Sequence, residues 1–232
     1  SNLLAISLRR LLRAEGVDVL SLHEVQMRQI QVDVVIETTN LDLAEKKQNL
    51  QAVEKCVPSD TLILSSCLGI TATQAASWLS HPARLVGFAA FSCLEQAELI
   101  EICPALQTDP CYLEQASQQI GRIGKETEIV QDQVGLVFPR ILSMIINEAA
   151  FALMEGVASA GDIDTAMRKG TNYPLGPLAW ADEVGIDDVY AVLSGLQREL
   201  GEERYRPAPL IRKMLHAGWV GKSCGRGFYV YG

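Results

Sequence analysis

Short apolar runs alternate with amphipathic stretches through the first half of the chain. Leu4, Leu8, Leu11 and Leu12 recur at helical spacing and predict a helix that Gly16 ends, with Val17-Asp18-Val19-Leu20 as a short strand after it. Val32 to Glu37 is a continuous apolar run, the pattern of a strand covered on both faces of a parallel sheet. A polar helix over Leu43–Val57 comes next, then a strand over Thr61–Ser65, a helix over Thr71–Leu79 and a strand over Arg84–Phe88. Leu99–Ile102 reads as a strand, Cys111–Ile123 as a helix and Glu128–Val130 as a last strand. Strands alternating with helices predict an α/β, mostly parallel sheet.

From Asp132 the pattern becomes helical throughout. A long helix is expected from Val137 to Gly156, with its polar side chains in one stripe (Arg140, Ser143, Asn147, flanked by Glu148 and Glu155) and the rest of its surface apolar. Such a helix is covered on more than one side. Ser159 or Asp162 can cap the next helix and Gly170 can end it. Asn172-Tyr173-Pro174-Leu175-Gly176-Pro177 is a shaped turn, Pro177 can open the following helix and Gly185 can close it. Helices over Ile186–Leu200 and Pro209–Ala217 and a glycine-rich tail complete the chain. The domain boundary is placed near Asp132, giving domains 1–131 and 132–232.

Composition narrows the function classes. The chain has 232 residues, about half of them apolar, and a net charge of −8, which argues against nucleic acid as a partner. No run is long and uncharged enough for a membrane span, no signal peptide is visible and the six cysteines form no C-x-x-C pair, so a cytoplasmic protein with reduced thiols is expected. No metal site is expected, because His23, His81 and His216 stand apart from any Cys pair. Gly221-Lys222-Ser223 has the ending of a phosphate-binding loop, but His216 stands where its first glycine belongs, and a structural tail is expected. Cys67 follows a strand, where a nucleophile can sit, but has no His beside it in sequence.

The words Asn147-Glu148-Ala149, Asp162-Ile163-Asp164, Tyr173-Pro174-Leu175-Gly176-Pro177, Gly185-Ile186-Asp187 and Gly221-Lys222…Gly225-x-Gly227-Phe228-Tyr229 resemble, in order and spacing, the carboxy-terminal domain of the 3-hydroxyacyl-CoA dehydrogenase family. The resemblance implies a trimmed Rossmann-like domain followed by an all-helical domain of the 6-phosphogluconate-dehydrogenase type. It extends to the degenerate second unit of longer bacterial members, to which the segment from Gly201 to Pro207 is also similar. A unit of that kind is carried behind a complete catalytic one.

The family's reaction moves a hydride from C3 of a hydroxyacyl thioester to NAD, with a His base oriented by a Glu, and with a Ser and an Asn at the reacting oxygen. Carried over residue by residue, the His falls on Ala89, the Glu on Glu101, the Ser on Leu68 and the Asn on Pro139. Only Glu101 survives, as a remnant expected to be solvated or salt-bridged. The second and third glycines of the nucleotide loop fall on Asn2 and Ala5, with the first strand and first glycine outside this chain. His23 stands where a ribose-binding acid belongs, with Glu24 one place later. The interval from Glu24 to Val32 is too short for the family's helical substrate arm. The expectation is a module without bound cofactor, with NAD only if it is active. It would dimerise or pack on a catalytic dehydrogenase unit through the helical domain. Oxidoreductase activity with NAD and acyl-CoA binding are the alternatives.

Overall fold

The computed structural model describes residues 2–28 and 30–232, with Arg28 described by its backbone alone. The chain divides into two compact units, Ser1–Val137 and Phe138–Gly232.

The first unit runs α1 (Leu3–Ala14), α2 (Leu22–Arg28), β1 (Val34–Glu37), α3 (Leu43–Glu54), β2 (Leu62–Ser66), α4 (Ala72–Ala76), β3 (Leu85–Ala89), β4 (Leu99–Pro104), α5 (Pro110–Gly121) and β5 (Glu126–Ile129). The strands form one sheet in the order β1-β2-β3-β4-β5. All neighbours are parallel except β3 and β4, which are joined by a short connection and run antiparallel. Leu62, Leu64, Val86, Phe88, Ile100 and Ile102 build a core with Leu4 and Leu8 of α1 and Ala116 and Ile120 of α5. β2 and β3 are buried along their whole length, as an apolar run between two covered faces requires.

The expected strand Val17–Leu20 is not one. Those residues are irregular, and the sheet begins at β1. Extended backbone becomes a strand only where a neighbour completes its hydrogen bonds, and among the described residues no strand lies on the outer side of β1. His23 and Glu24 therefore stand in α2 rather than at a strand's end. Glu24 Oε2 accepts from the Ser21 N–H (2.8 Å) and hydroxyl (2.7 Å), and the Ser21 hydroxyl accepts from the Glu24 N–H, a reciprocal cap of α2. The interval expected to lack a helical arm carries this one helix of seven residues, and Gln29 of that interval lies outside the described residues.

The second unit runs α6 (Phe138–Met154), α7 (Ala160–Thr171), α8 (Pro177–Val184), α9 (Ile186–Leu200) and α10 (Pro209–His216), and ends in a tail that returns to α8. Ser159 caps α7 as expected, but Gly170 does not end it. Asn172, at φ 59°, takes the left-handed position at the C-terminus. The polar stripe of α6 faces inward: Ser143 and Asn147 are buried, while Phe138 and Ile141 are exposed. Asn147 Nδ2 donates to the Arg206 carbonyl (3.0 Å) and its Oδ1 accepts from the Ala208 N–H (2.8 Å), fastening the chain that enters α10.

Two buried aspartates organise the rest of this unit. Asp164 accepts from the N–H groups of Leu178 (2.8 Å) and Ala179 (2.9 Å) at the start of α8, and from the Tyr229 hydroxyl (2.7 Å). Asp182 accepts from the N–H groups of Phe228 and Tyr229 (2.8 Å each) and from the Tyr231 hydroxyl (3.0 Å). A Cβ at Gly227 would lie 1.9 Å from Asp182 Oδ1, which is why the tail needs glycine there. Burial pushes the Asp182 carboxyl upward against these three hydrogen bonds.

Candidate functional site

Ligands of open α/β sheets bind beyond the carboxyl ends of the parallel strands. In the first unit that edge is made by Glu37 to Thr39 after β1, Ser66 to Leu68 at the end of β2, and Ala89 at the end of β3. The strands arrive there as apolar runs, so the sheet itself is fixed by burial and only its rim is open to chemistry.

The antiparallel pairing of β3 with β4 sets Ala89 directly opposite Glu101. Side chains so paired have Cβ atoms about 4.5–5.5 Å apart. An imidazole at position 89 would face this carboxylate; the chain supplies a methyl group instead. Glu101 is buried, which removes the solvated half of the expectation, and its Oε2 accepts from the Val137 N–H (2.8 Å). The carboxylate thus ties down the backbone where the first unit ends, a structural use that needs no base. Leu68 is fully buried and offers no donor. Pro139 lies in the second unit, in the first turn of α6, and is also buried. There a missing N–H costs nothing, because the first turn has no intrahelical acceptor for it.

Two features of the rim were not singled out from sequence. Lys46 of α3 and Glu37 of β1 form a buried ion pair, with side chains 1% and 4% exposed. Lys46 also donates to the Thr39 carbonyl (2.9 Å), and Glu37 accepts from the Thr39 N–H (2.7 Å) and the Ser65 hydroxyl (3.1 Å). The signal was a lysine on a helix read only as polar. The second feature is Ser66, whose buried hydroxyl has no hydrogen-bond partner among the described residues and which stands two places before Leu68.

The remaining sequence candidates fall apart. His23 is exposed on α2, and His216 is exposed at the end of α10. His81 Nδ1 stands 3.5 Å from Glu54. Lys222 pairs with Glu183 (3.0 Å) in a short turn, not with a helix N-terminus, as a structural tail should. Asn2 caps α1: its Oδ1 accepts from the Ala5 N–H (3.0 Å) and from the Thr38 hydroxyl (3.1 Å), and its Nδ2 donates to the Thr38 carbonyl.

Comparison with known proteins gives two family profiles in tandem. The NAD binding domain of 3-hydroxyacyl-CoA dehydrogenase matches residues 13–133, and the C-terminal domain of 3-hydroxyacyl-CoA dehydrogenase matches residues 135–231. The chain belongs to the 3-hydroxyacyl-CoA dehydrogenase family.

A probable 3-hydroxybutyryl-CoA dehydrogenase of Bacillus subtilis is 35% identical over 199 residues, 86% of this chain and 69% of its own length. The fatty acid oxidation complex subunit alpha of Shewanella oneidensis is 34% identical over 200 residues, 86% of this chain but 28% of its own length. Among solved structures, the (S)-3-hydroxybutyryl-CoA dehydrogenase of Ralstonia eutropha is 33% identical, with a TM-score of 0.76 over 98% of this chain and 84% of its own. The Rossmann-like sheet and the helical second unit are thus those of 3-hydroxyacyl-CoA dehydrogenases. NAD is the cofactor implied for an active family member. Among the described residues no helix is long and apolar enough to cross a membrane.

Proposed function

We propose that this chain is a non-catalytic 3-hydroxyacyl-CoA dehydrogenase module of fatty-acyl or aromatic-acid β-oxidation. It serves assembly, as a homodimer or as a support packed on a catalytic dehydrogenase unit through its helical unit. The observation that carries the reading is Ala89 opposite Glu101. Glu101 is the residue onto which the resemblance carries the family's acid, and the side chain paired with it at position 89 cannot accept a proton. General-base catalysis is worth on the order of 10²–10⁴ in rate, and the oxygen-holding donors a comparable amount. With Leu68 and Pro139 both losses fall together.

The residues present fit NAD poorly. A pyrophosphate needs free N–H groups at the first helix's N-terminus and glycine there for close approach. Asn2 instead caps α1 with its own side chain and holds Thr38. The strand that should present an acid to the ribose is irregular, and the nearby Glu24 caps α2. Cofactor-free support is therefore the reading, and no hydride step is drawn through this chain.

The assembly role is motivated by the outward face of α6, where Phe138 (46%) and Ile141 (55%) are exposed, joined past its C-terminus by Val157 (71%). Apolar side chains so placed along one helix are the composition of an interface.

The test is calorimetric titration of the chain with NAD and NADH, together with an acetoacetyl-CoA reduction assay and sedimentation. Expected are no heat at millimolar cofactor, no turnover, and an oligomer at micromolar protein. Micromolar NAD binding with turnover overturns the non-catalytic reading and restores an NAD-dependent oxidoreductase. A monomer that takes up acyl-CoA saturably without turnover makes it an acyl-CoA-binding module instead.

A further inference from the structure

Two thiols and a carboxylate converge in the first unit. Cys67 lies one residue past β2, and its N–H still bonds the Phe88 carbonyl of β3 (2.7 Å). Cys103 lies on β4, paired with Gly87 of β3. Both cysteines are fully buried. Asp132 stands beside them, and Cys103 Sγ approaches its Oδ1 at 3.7 Å. One sulfur from each cysteine and one Asp132 oxygen all lie within 4.8 Å of one another.

Side chains two strands apart in a sheet are normally screened from each other by the residue between them. Here that residue is Gly87. A Cβ built on it would meet Cys67 Sγ at 2.5 Å and Cys103 Sγ at 2.6 Å, so the sulfurs share the space that its missing side chain leaves. Asp132 is held in place from the other side. Its two oxygens accept from the N–H groups of Ala72 (2.7 Å) and Thr73 (2.8 Å) at the start of α4. Each oxygen keeps a second lone pair for another partner.

A disulfide does not explain the pair. Two strand spacings amount to about 9–10 Å, beyond the ~7 Å that a disulfide can span between Cα atoms. Soft sulfur donors with one carboxylate oxygen are instead a donor set for a thiophilic cation, and exclude magnesium and calcium. We propose that Cys67, Cys103 and Asp132 form a binding site for one thiophilic divalent metal ion of the zinc class. On binding, both thiols lose their protons to solvent, and the two thiolates, the carboxylate and the cation together carry one net negative charge. Three protein donors leave the fourth position of a tetrahedron for a water or another small ligand. A thiol ligates such a cation only as the thiolate, so each must give up its proton on binding. Affinity for the metal therefore falls as the pH is lowered.

The experiment titrates the full reduced chain with cadmium(II) and follows the thiolate-to-cadmium charge-transfer band, with zinc(II) in competition. The expected result is one equivalent bound, a band of two-thiolate intensity, and its loss in Cys67→Ser and in Cys103→Ser. The band should persist when the exposed Cys111 and Cys224 are both changed to Ser. No band in the wild-type chain, or a band that survives both buried-cysteine variants, overturns the site. Should those variants fail to fold, zinc-edge absorption spectroscopy of the loaded wild type decides. Two sulfur scatterers at about 2.3 Å and an oxygen or nitrogen near 2.0–2.2 Å support the site. A shell with no sulfur, or with one, overturns it.

Discussion

Buried polar residues carry specific tasks in this chain, and each can be read by removing one partner. Lys46 and Glu37 are nearly inaccessible and neutralise each other. Lys46→Met leaves an uncompensated carboxylate in the core, and a loss of about 3–5 kcal/mol is expected in urea unfolding. The double change Lys46→Met with Glu37→Gln should recover much of that loss, because the apolar and neutral pair no longer strands a charge. Asn147 answers two backbone groups near α10, one as donor and one as acceptor. Asn147→Leu keeps the branched shape but leaves the Arg206 carbonyl and the Ala208 N–H without a partner in it, and about 1–3 kcal/mol per stranded group is expected by the same measurement. Asn147 lies in a word that resembles the family, so part of the resemblance records folding requirements rather than catalysis. On the proposed reading Ala89 is the opposite case, a position onto which the family's base is carried over and which holds a methyl group.

Elements of the second unit are fastened by buried carboxylates. The tail is the clearest instance. Tyr229 donates its hydroxyl proton to Asp164, and Tyr231 donates its own to Asp182. Burial and the neighbouring carboxylates push both phenols well above their ordinary value. A proton held more tightly in the folded state stabilises it fully below the unfolded value, about 10 for tyrosine, and less as the pH rises past it. Stability should therefore fall above about pH 10. In the Tyr229→Phe, Tyr231→Phe double variant it should start lower and fall less steeply there, as thermal unfolding against pH would read. The α6 element makes a different prediction. Ile141 is exposed on a helix whose polar stripe faces inward. Ile141→Glu should shift the sedimentation of the chain from oligomer to monomer and leave its circular dichroism unchanged. An oligomer that survives the substitution would move the interface away from this face.

At the scale of the whole molecule the two units do different work. The first is a sheet whose carboxyl-end rim sets Ala89 opposite Glu101, and Glu101 accepts from the Val137 N–H. The second is a helical assembly held by two aspartates and an asparagine, with apolar side chains left on its outer surface. A chain of net charge −8 resists its own association through repulsion, so assembly through an apolar face should strengthen when salt screens that charge. Sedimentation across ionic strength is expected to show tighter association at high salt, whereas an interface built on ion pairs would loosen.

The sequence by itself determined the order and type of nearly all the elements, because burial on both faces leaves continuous apolar runs in β2 and β3 and helical periods elsewhere. It also determined that Ala89, Leu68 and Pro139 carry no side chain able to take or donate a proton, since that inability is a property of a residue's own atoms. Only tertiary structure decided the rest. Residues 17–20 look like a strand until the sheet is seen to begin at β1. Periodicity gathered Arg140, Ser143 and Asn147 into one stripe but could not say that the stripe faces inward, because that depends on the 206–208 backbone waiting for Asn147. Cys67, Cys103 and Asp132 are far apart in sequence and obey no spacing rule. They meet because strand register places Gly87 between the sulfurs, and register is a property of the sheet and not of any one strand.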